Sequence, residues 1–359
     1  MNNYTDYNDN KKITYHEQTD IQNILKLRAI LKTLPDFCKD YFRAMDPLTT
    51  TKTRISYAYD IRIFFQFLLD ENPAFKNHSM KDFTVDVLDQ LKAVDIEEYQ
   101  EYLKVYKNGD KTETNGERGL KRKISVLRSF YAYYYKHEFI QTNPTVLVDV
   151  PKTHEKSIIR LDADEVAMLL DYIEHCGDEL TGQKRVYYEK TKERDLAIVT
   201  LLLGTGIRVS ECVGLDIEDV DFKNNGIKVT RKGGNEMVVY FGPEVEKALK
   251  KYVTARENIT ALAGHEHALF YSTQRKRIGV QAVENLVKKY SRAITTTKKI
   301  TPHKLRSTYG TALYQETGDI YLVADVLGHR DVNTTKKHYA AMDDARRRKA
   351  ATAVHLRED

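Results

Sequence analysis

The stretch ERDLAIVTLLLGTGIRVSEC, Glu193–Cys212, decides how the chain is read. Its first half is an apolar run that reads as a helix stopped at Gly204, because glycine ends a helical pattern at little steric cost. One residue after the two glycines of GTG comes Arg208, and directly after Arg208 another apolar run begins. The lone GTG is too short for a dinucleotide fingerprint, and no Gly-Lys-Ser/Thr phosphate loop occurs anywhere in the chain.

Outward from this stretch, the N-terminal side holds LDADEVAMLLDYI, Leu161–Ile173, in which Asp162 caps a helix with Glu165 three residues later and Val166, Leu169, Leu170 and Ile173 form its apolar face. The segment DELTGQKRVYYEKTKE between the two helices reads as a polar excursion. On the C-terminal side, GIKVTR and EMVVYF read as two strands joined by KGGN, whose glycines permit a tight hairpin. Short turns and helices follow. Before residue 160, helical spacing recurs at Tyr57, Ile61, Phe64 and Leu68, then at Ile96, Tyr99, Leu103 and Tyr106, then at Leu120, Ile124, Leu127, Tyr131 and Tyr134. These imply a small all-helical domain. The tyrosine run YAYYYK is read as core packing with wet hydroxyls.

The division expected is a helical extension over residues 1–40, a helical domain over 41–145, a linker over 146–160 in the stretch where periodicity stops between Gln141 and Ile159 and two prolines occur, a mixed domain over 161–345, and a basic tail over 346–359. The fold class is mainly α with a small β-hairpin or sheet, in two domains, as 359 residues exceed one ordinary core.

Composition narrows the function classes. Apolar residues make up 41% and charged residues 30%, no apolar run approaches a membrane span, and MNNYTDYNDNKK does not read as a signal peptide. Three scattered cysteines, Cys38, Cys176 and Cys212, suit a reducing cytoplasm, offer no metal-ligand spacing and are read as small core residues. The net charge of +5 is modest but unevenly spread. Lys121, Arg122, Lys123 and Arg128 gather on one predicted helix, with Ser125 beside Lys121 and Arg128 on one side of it. Lys298, Lys299, Lys304, Arg306, Arg330, Lys336, Lys337 and Arg346 to Lys349 crowd the end of the chain. Local clusters of this kind attract phosphate.

The residues able to do chemistry are Arg208, Lys232 at the hairpin tip, His303 and Arg306 in TPHKLRSTYGT, and His329 and Tyr339 in LGHRDVNTTKKHYA. Pro302 fits a helix start, so His303 and Arg306 lie one turn apart. Guanidinium groups stay charged at any working pH and grip two non-bridging oxygens at once, so they can replace a metal in stabilising a phosphodiester transition state. A free tyrosine titrates near pH 10, so about 4 kcal/mol opposes its phenolate at pH 7. Nearby cations and a histidine base remove much of that barrier. Lysine or histidine can protonate the departing alkoxide. No metal and no cofactor is called for.

Together, and in this order, TKTRISYAYDIRIFFQFL, NPTVLVDVPK, ERDLAIVTLLLGTGIRVSE, HKLRSTYGT and LGHRDVNTTKKHYA resemble the tyrosine recombinase family, whose members include phage-type integrases; the resemblance covers nearly everything from Thr53 to Arg346. It implies a C-shaped clamp on double-stranded DNA, made of a helical core-binding domain and a mixed α/β catalytic domain. It implies that Arg208 and Arg306 hold the scissile phosphate, that His303 and His329 donate hydrogen bonds or move protons, that Lys232 is the general acid, that Glu211 supports the arginine geometry, and that Tyr339 is the nucleophile. Lys121, Arg122, Lys123, Ser125, Arg128 and Arg231 become expected DNA contacts. A homodimer on one site, a homotetramer in synapsis, an accessory DNA-bending or directionality protein and a cytoplasmic, nucleoid-associated location follow from the same resemblance.

The sequence departs from the family pattern twice. Tyr339 stands ten positions after His329, one more than usual, and His338 stands at the usual spacing. Arg231 takes the place of a glycine before the hairpin lysine, which makes it the fallback for that role. Two other readings carry the same residues: a type IB topoisomerase, and a non-catalytic architectural DNA-binding protein.

Overall fold

The computed structural model describes residues 14–154, 159–231, 234–329 and 331–332, and the chain divides into two units, Met1–Glu155 and Lys156–Asp359. The first unit contains helices α1 (Tyr15–Leu31), α2 (Cys38–Ala44), α3 (Thr51–Glu71), α4 (Val87–Gln90) and α5 (Ala93–Tyr102), strands β1 (Val105–Asn108) and β2 (Lys111–Thr114), and helix α6 (Glu117–Lys136). Thr14 starts α1 through a reciprocal cap: its backbone N–H donates to Glu17 at 2.8 Å and its hydroxyl accepts from the Glu17 N–H at 3.3 Å. Leu27, Ile30 and Leu34 then enter the same core as α3 and α6, so the leading helix is built into this unit.

That core is largely aromatic. Phe130 meets Tyr41 edge-on at 5.1 Å and Tyr134 at 5.0 Å, while the Tyr134 hydroxyl donates to the Phe37 carbonyl at 2.8 Å. The stripe Leu120, Ile124, Leu127, Tyr131 and Tyr134 is buried as its spacing requires.

The expectation of an all-helical domain is corrected by β1 and β2. The helix through Ile96 and Tyr99 ends at Tyr102, and Tyr106 is buried from a strand instead. Asn108 pairs with Lys111 across a turn in which Gly109 takes φ +61°. Glycine as the first of the two turn residues, Gly109-Asp110, favours that left-handed turn, and the alternation in KVYKNGDKTET was its strand signal.

One buried charge cluster holds α3 to α6. Asp60 is nearly inaccessible and accepts from both Arg122 and Lys123, the latter at 2.9 Å, with Lys123 also buried. Removing one partner of a buried pair strands the other charge. Asp60→Ala is therefore expected to lower the stability of the chain by about 3 kcal/mol in denaturant unfolding, whereas Asp60→Leu combined with Lys123→Met recovers most of the loss. Equal loss in single and double variants would refute this account.

The second unit contains α7 (Ala163–His175), α8 (Gly182–Thr205), α9 (Val209–Gly214), strands β3 (Val220–Asp221), β4 (Gly226–Thr230) and β5 (Glu236–Tyr240), then α10 (Pro243–Glu257), α11 (Val280–Ile294), α12 (Pro302–Thr317) and α13 (Ile320–Leu327). The strands form one antiparallel sheet in the order β3-β4-β5, with Thr230 opposite Glu236 at the hairpin end. The short β3 is an addition to the expected hairpin. Asp162 and Glu165 cap α7 as its sequence requires, the Asp162 N–H donating to Glu165 at 2.8 Å.

Helix α8 is the centre of this unit. Leu196 to Val199, Leu201 and Leu202 are all buried, because α7, α10, α11 and α12 surround it. The expected polar excursion before it is helix from Gly182 onward, a correction with a simple cause. Gln, Lys, Arg and Glu are good helix formers, and Tyr188 and Thr191 anchor that polar half in the core. All three cysteines are unpaired and buried, and burial pushes the Cys212 thiol up to about 12. Among the described residues, no helix is long and apolar enough to cross a membrane.

Candidate active site

The decisive stretch ends in a left-handed turn. The expected stop at Gly204 is corrected: helix α8 continues through Gly204 to Thr205, and it is Gly206 that takes φ +64°, with its N–H on the Leu202 carbonyl at 3.1 Å. A Cβ at Gly206 would lie 2.3 Å from the Tyr309 ring of α12 and 2.9 Å from Leu327 of α13. Only glycine fits both the φ and the space. The chain then turns so that Arg208 becomes the N-cap of α9, its backbone N–H donating to Glu211 at 2.7 Å and its side chain donating to the other carboxylate oxygen at 2.6 Å. Glu211 is buried, so its charge is held against the guanidinium with little screening.

Three arginines converge on the C-terminal end of α13. Arg208 donates to the Gly328 carbonyl at 3.1 Å, Arg306 to the Leu327 carbonyl, and Arg231 to the Val326 carbonyl at 2.7 Å. A helix leaves its last carbonyls without intrahelical donors and carries partial negative charge there, so guanidinium groups are favoured at this point. Arg306 is itself buried and also donates to the Gly206 carbonyl at 2.5 Å, tying the end of α8 to the end of α13. Gly328 takes φ +60°, and the next residue, His329, donates its backbone N–H to Ala324 at 2.9 Å. His329 thus stands one residue beyond the carbonyls that the arginines hold.

His303 lies at the exposed start of α12, its carbonyl accepting from the Ser307 hydroxyl at 3.1 Å, one turn before Arg306. The structure therefore brings Arg208, Glu211, Arg231, Arg306 and His329 together and keeps His303 on the helix that carries Arg306. Lys232 and Tyr339 lie outside the described residues, as do Arg330 and residues 333–359.

In the first unit, the expected DNA contacts separate into two groups. Lys123 is committed to Asp60, and Arg128 donates to the carbonyls of Thr145 at 3.1 Å and Val148 at 2.5 Å, fastening α6 to the segment that follows it. Lys121 and Ser125 are exposed, and Arg122 is half-exposed while gripping Asp60.

Sequence reasoning missed Gly206, Tyr309 and Gly328 as parts of this site. The signal was present in the positions of the glycines, one just before Arg208 and one just before His329, but only the packing shows what each glycine admits. Gly206→Ala is expected to lower stability by about 2–4 kcal/mol, from left-handed strain and overpacking against Tyr309. It also moves the carbonyl that Arg306 holds, so cleavage should slow by about tenfold or more. Unfolding curves and single-turnover cleavage check the two parts, and an alanine variant with wild-type values in both would refute the packing argument.

The phage integrase family matches residues 159–346, more than half of the chain and all of the site just described. The chain belongs to this family. It is a tyrosine site-specific recombinase by its relatives. The tyrosine recombinase XerS of Lactococcus lactis subsp. cremoris (strain MG1363) is 30% identical over 338 residues, covering 88% of this chain and 93% of that protein. The tyrosine recombinase XerC of Caldanaerobacter subterraneus subsp. tengcongensis is 33% identical over 313 residues, covering 85% of this chain and 82% of that protein. Among solved structures, the XerH site-specific recombinase bound to its difH substrate is similar with a TM-score of 0.60 at 20% identity, over 84% of this chain and 79% of that one. A lambda integrase dimer bound to a core site is similar with a TM-score of 0.59 at 17% identity, over 84% of this chain and 94% of that one. Both show that this recombinase has the fold expected from its motifs.

Proposed function

We propose that this recombinase cuts and rejoins DNA strands by two transesterifications, with the scissile phosphate held at the end of α13. The observation that carries the proposal is the convergence of Arg208 and Arg306 beside His329. Each guanidinium has five N–H donors, so the carbonyl contacts orient it while leaving directions for phosphate oxygens. Glu211 fixes Arg208, and burial fixes Arg306, so little reorganisation accompanies the reaction.

In the forward step the Tyr339 oxygen attacks phosphorus, its proton passing to a histidine of the site, and the bond to the 5′ oxygen breaks. Lys232 supplies the proton that the 5′ alkoxide takes, leaving a free 5′-hydroxyl and a 3′-phosphotyrosyl link. A 5′-hydroxyl from the partner strand reverses these events and forms a Holliday junction. One phosphodiester bond is exchanged for another of similar energy, so neither ATP nor a metal is required.

The DNA partner is supported by the relatives solved on their own sites, and Lys121, Arg122 and Ser125 are assigned to contacts with the duplex in the first unit. Phosphate contacts position a protein while base contacts specify its site. A dimer on each site and a tetramer in synapsis are part of the proposal, as is action in the cytoplasm on integration, excision or dimer resolution, with an accessory DNA-bending or directionality protein.

Suicide DNA, nicked near a crossover site taken from the gene's own flanks, tests the chemistry. The expected result is a covalent protein–DNA band on a denaturing gel, formed in the presence of chelator and without nucleotide. Binding to that DNA with no covalent product would make the protein an architectural one. Relaxation of plasmids that lack any special site, without strand exchange, would make it a topoisomerase.

A further inference from the structure

We propose that Arg231 is a positioning residue that locks the β4–β5 hairpin to the end of α13 and thereby sets the place of His329 beside the phosphate-binding arginines. The inference rests on the phosphate-site reading above and extends it to a residue whose first assignment was DNA contact.

Arg231 directly follows β4, and its backbone closes the hairpin, with its N–H on the Asn235 carbonyl at 2.7 Å and its carbonyl accepting from Gly234 at 3.0 Å. Its side chain leaves the hairpin and donates to the Val326 carbonyl at 2.7 Å. The fit against α13 is too tight for any side chain at residue 328. A Cβ on Gly328 would fall 1.3 Å from Arg231 Nη1 and 2.3 Å from Cζ. The glycine before His329 is therefore favoured by its φ of +60°, and the Arg231 guanidinium occupies the space a Cβ would take, so a side chain there would have to displace it.

The remaining donors argue for position over surface binding. Nε and Nη1 of Arg231 are buried and meet no acceptor among the described residues. Burial lowers its pKa, the Arg208 charge acts in the same direction, and Glu211 and Asp325 oppose them. A guanidinium in this state is costly to the fold, and such groups concentrate where geometry serves chemistry. Val326, Leu327 and Gly328 take one arginine each, and His329 hangs from the same turn through Ala324. Arg231 is the member of this trio that anchors the turn to the sheet.

Single-turnover cleavage of suicide DNA by Arg231→Ala, Arg231→Lys, His329→Ala and the Arg231→Ala/His329→Ala pair tests the inference. Arg231→Ala is expected to slow cleavage by about 30-fold, and Arg231→Lys, which keeps one donor to Val326, to recover part of it. The pair should cleave within about twofold of His329→Ala alone, because residues acting through one group are not additive. Multiplying effects, or wild-type cleavage by Arg231→Ala when His329→Ala is impaired, would overturn the inference and leave the phosphate site standing. Wild-type cleavage by His329→Ala would sink the phosphate-site reading and this inference together.

A reciprocal size test covers the case in which Arg231→Ala is poorly folded. Gly328→Ala is strained by its φ in any background, but the fall it causes relative to its own parent should be severe with Arg231 present and clearly smaller when the parent carries Arg231→Ser. Equal impairment in both backgrounds would show that the contact does not constrain the turn.

Discussion

Tyr339→Phe is expected to bind DNA like the wild type and to form no covalent adduct. The phenol oxygen is the attacking atom in the proposed reaction, and phenylalanine removes that atom while keeping the ring. Loss of a nucleophile removes the covalent route altogether, a fall on the order of 10⁵-fold or more. Gel shift with intact DNA and denaturing gels with suicide DNA separate binding from chemistry. The variant also decides the meaning of the ten-residue spacing after His329. Adjacent helical residues face about 100° apart, so a tyrosine displaced by one position is presented correctly only if the preceding turn is one residue longer. An adduct that persists in Tyr339→Phe would keep the chemistry and move the nucleophile elsewhere.

Arg306→Ala is expected to fail in two measurable ways. The guanidinium is buried between the ends of α8 and α13, donating to the carbonyls of Gly206 and Leu327. Its removal leaves two interior acceptors unpaired at about 1–3 kcal/mol each, so a loss of about 3 kcal/mol or more is expected in denaturant unfolding. Cleavage should fall by about 10³-fold or more at temperatures where the variant is folded, as for other arginines that meet transition-state charge on phosphorus. Arg306→Lys separates the parts. It preserves a positive charge but cannot span both carbonyls with a planar fork, so it should regain stability only in part and remain slow. Cleavage within about threefold of wild type by either variant would remove Arg306 from the phosphate site.

These two residues also mark how far the sequence could be read. Tyr339 is expected as the nucleophile from its place after Gly328-His329 and a basic run, and it lies outside the described residues. Arg306 was identifiable as a cation three residues after His303, yet its sequence looks equally like a solvated helix face. Lys123 and Arg128 had the same appearance, and the structure places them inside the first unit, on Asp60 and on the carbonyls of Thr145 and Val148. Charge in a sequence does not state which way a side chain faces. That depends on whether a carboxylate or an unsatisfied carbonyl from a distant segment meets it.

The sequence by itself determined the helical class, the cap of α7, the β4–β5 hairpin and the order of the arginines, histidines and tyrosine along the chain. All of these rest on local rules: period 3.6 burial, the φ that glycine permits, and motif order along the chain. Only the tertiary structure decided that α1 joins the first core, that Asp60 takes both Arg122 and Lys123, and that Arg208, Arg231 and Arg306 meet on successive carbonyls of one helix end. The reason is physical. A helix terminus creates its own demand for donors, but which donors satisfy it is fixed by segments up to 120 residues away in the chain, brought there by the burial of α8.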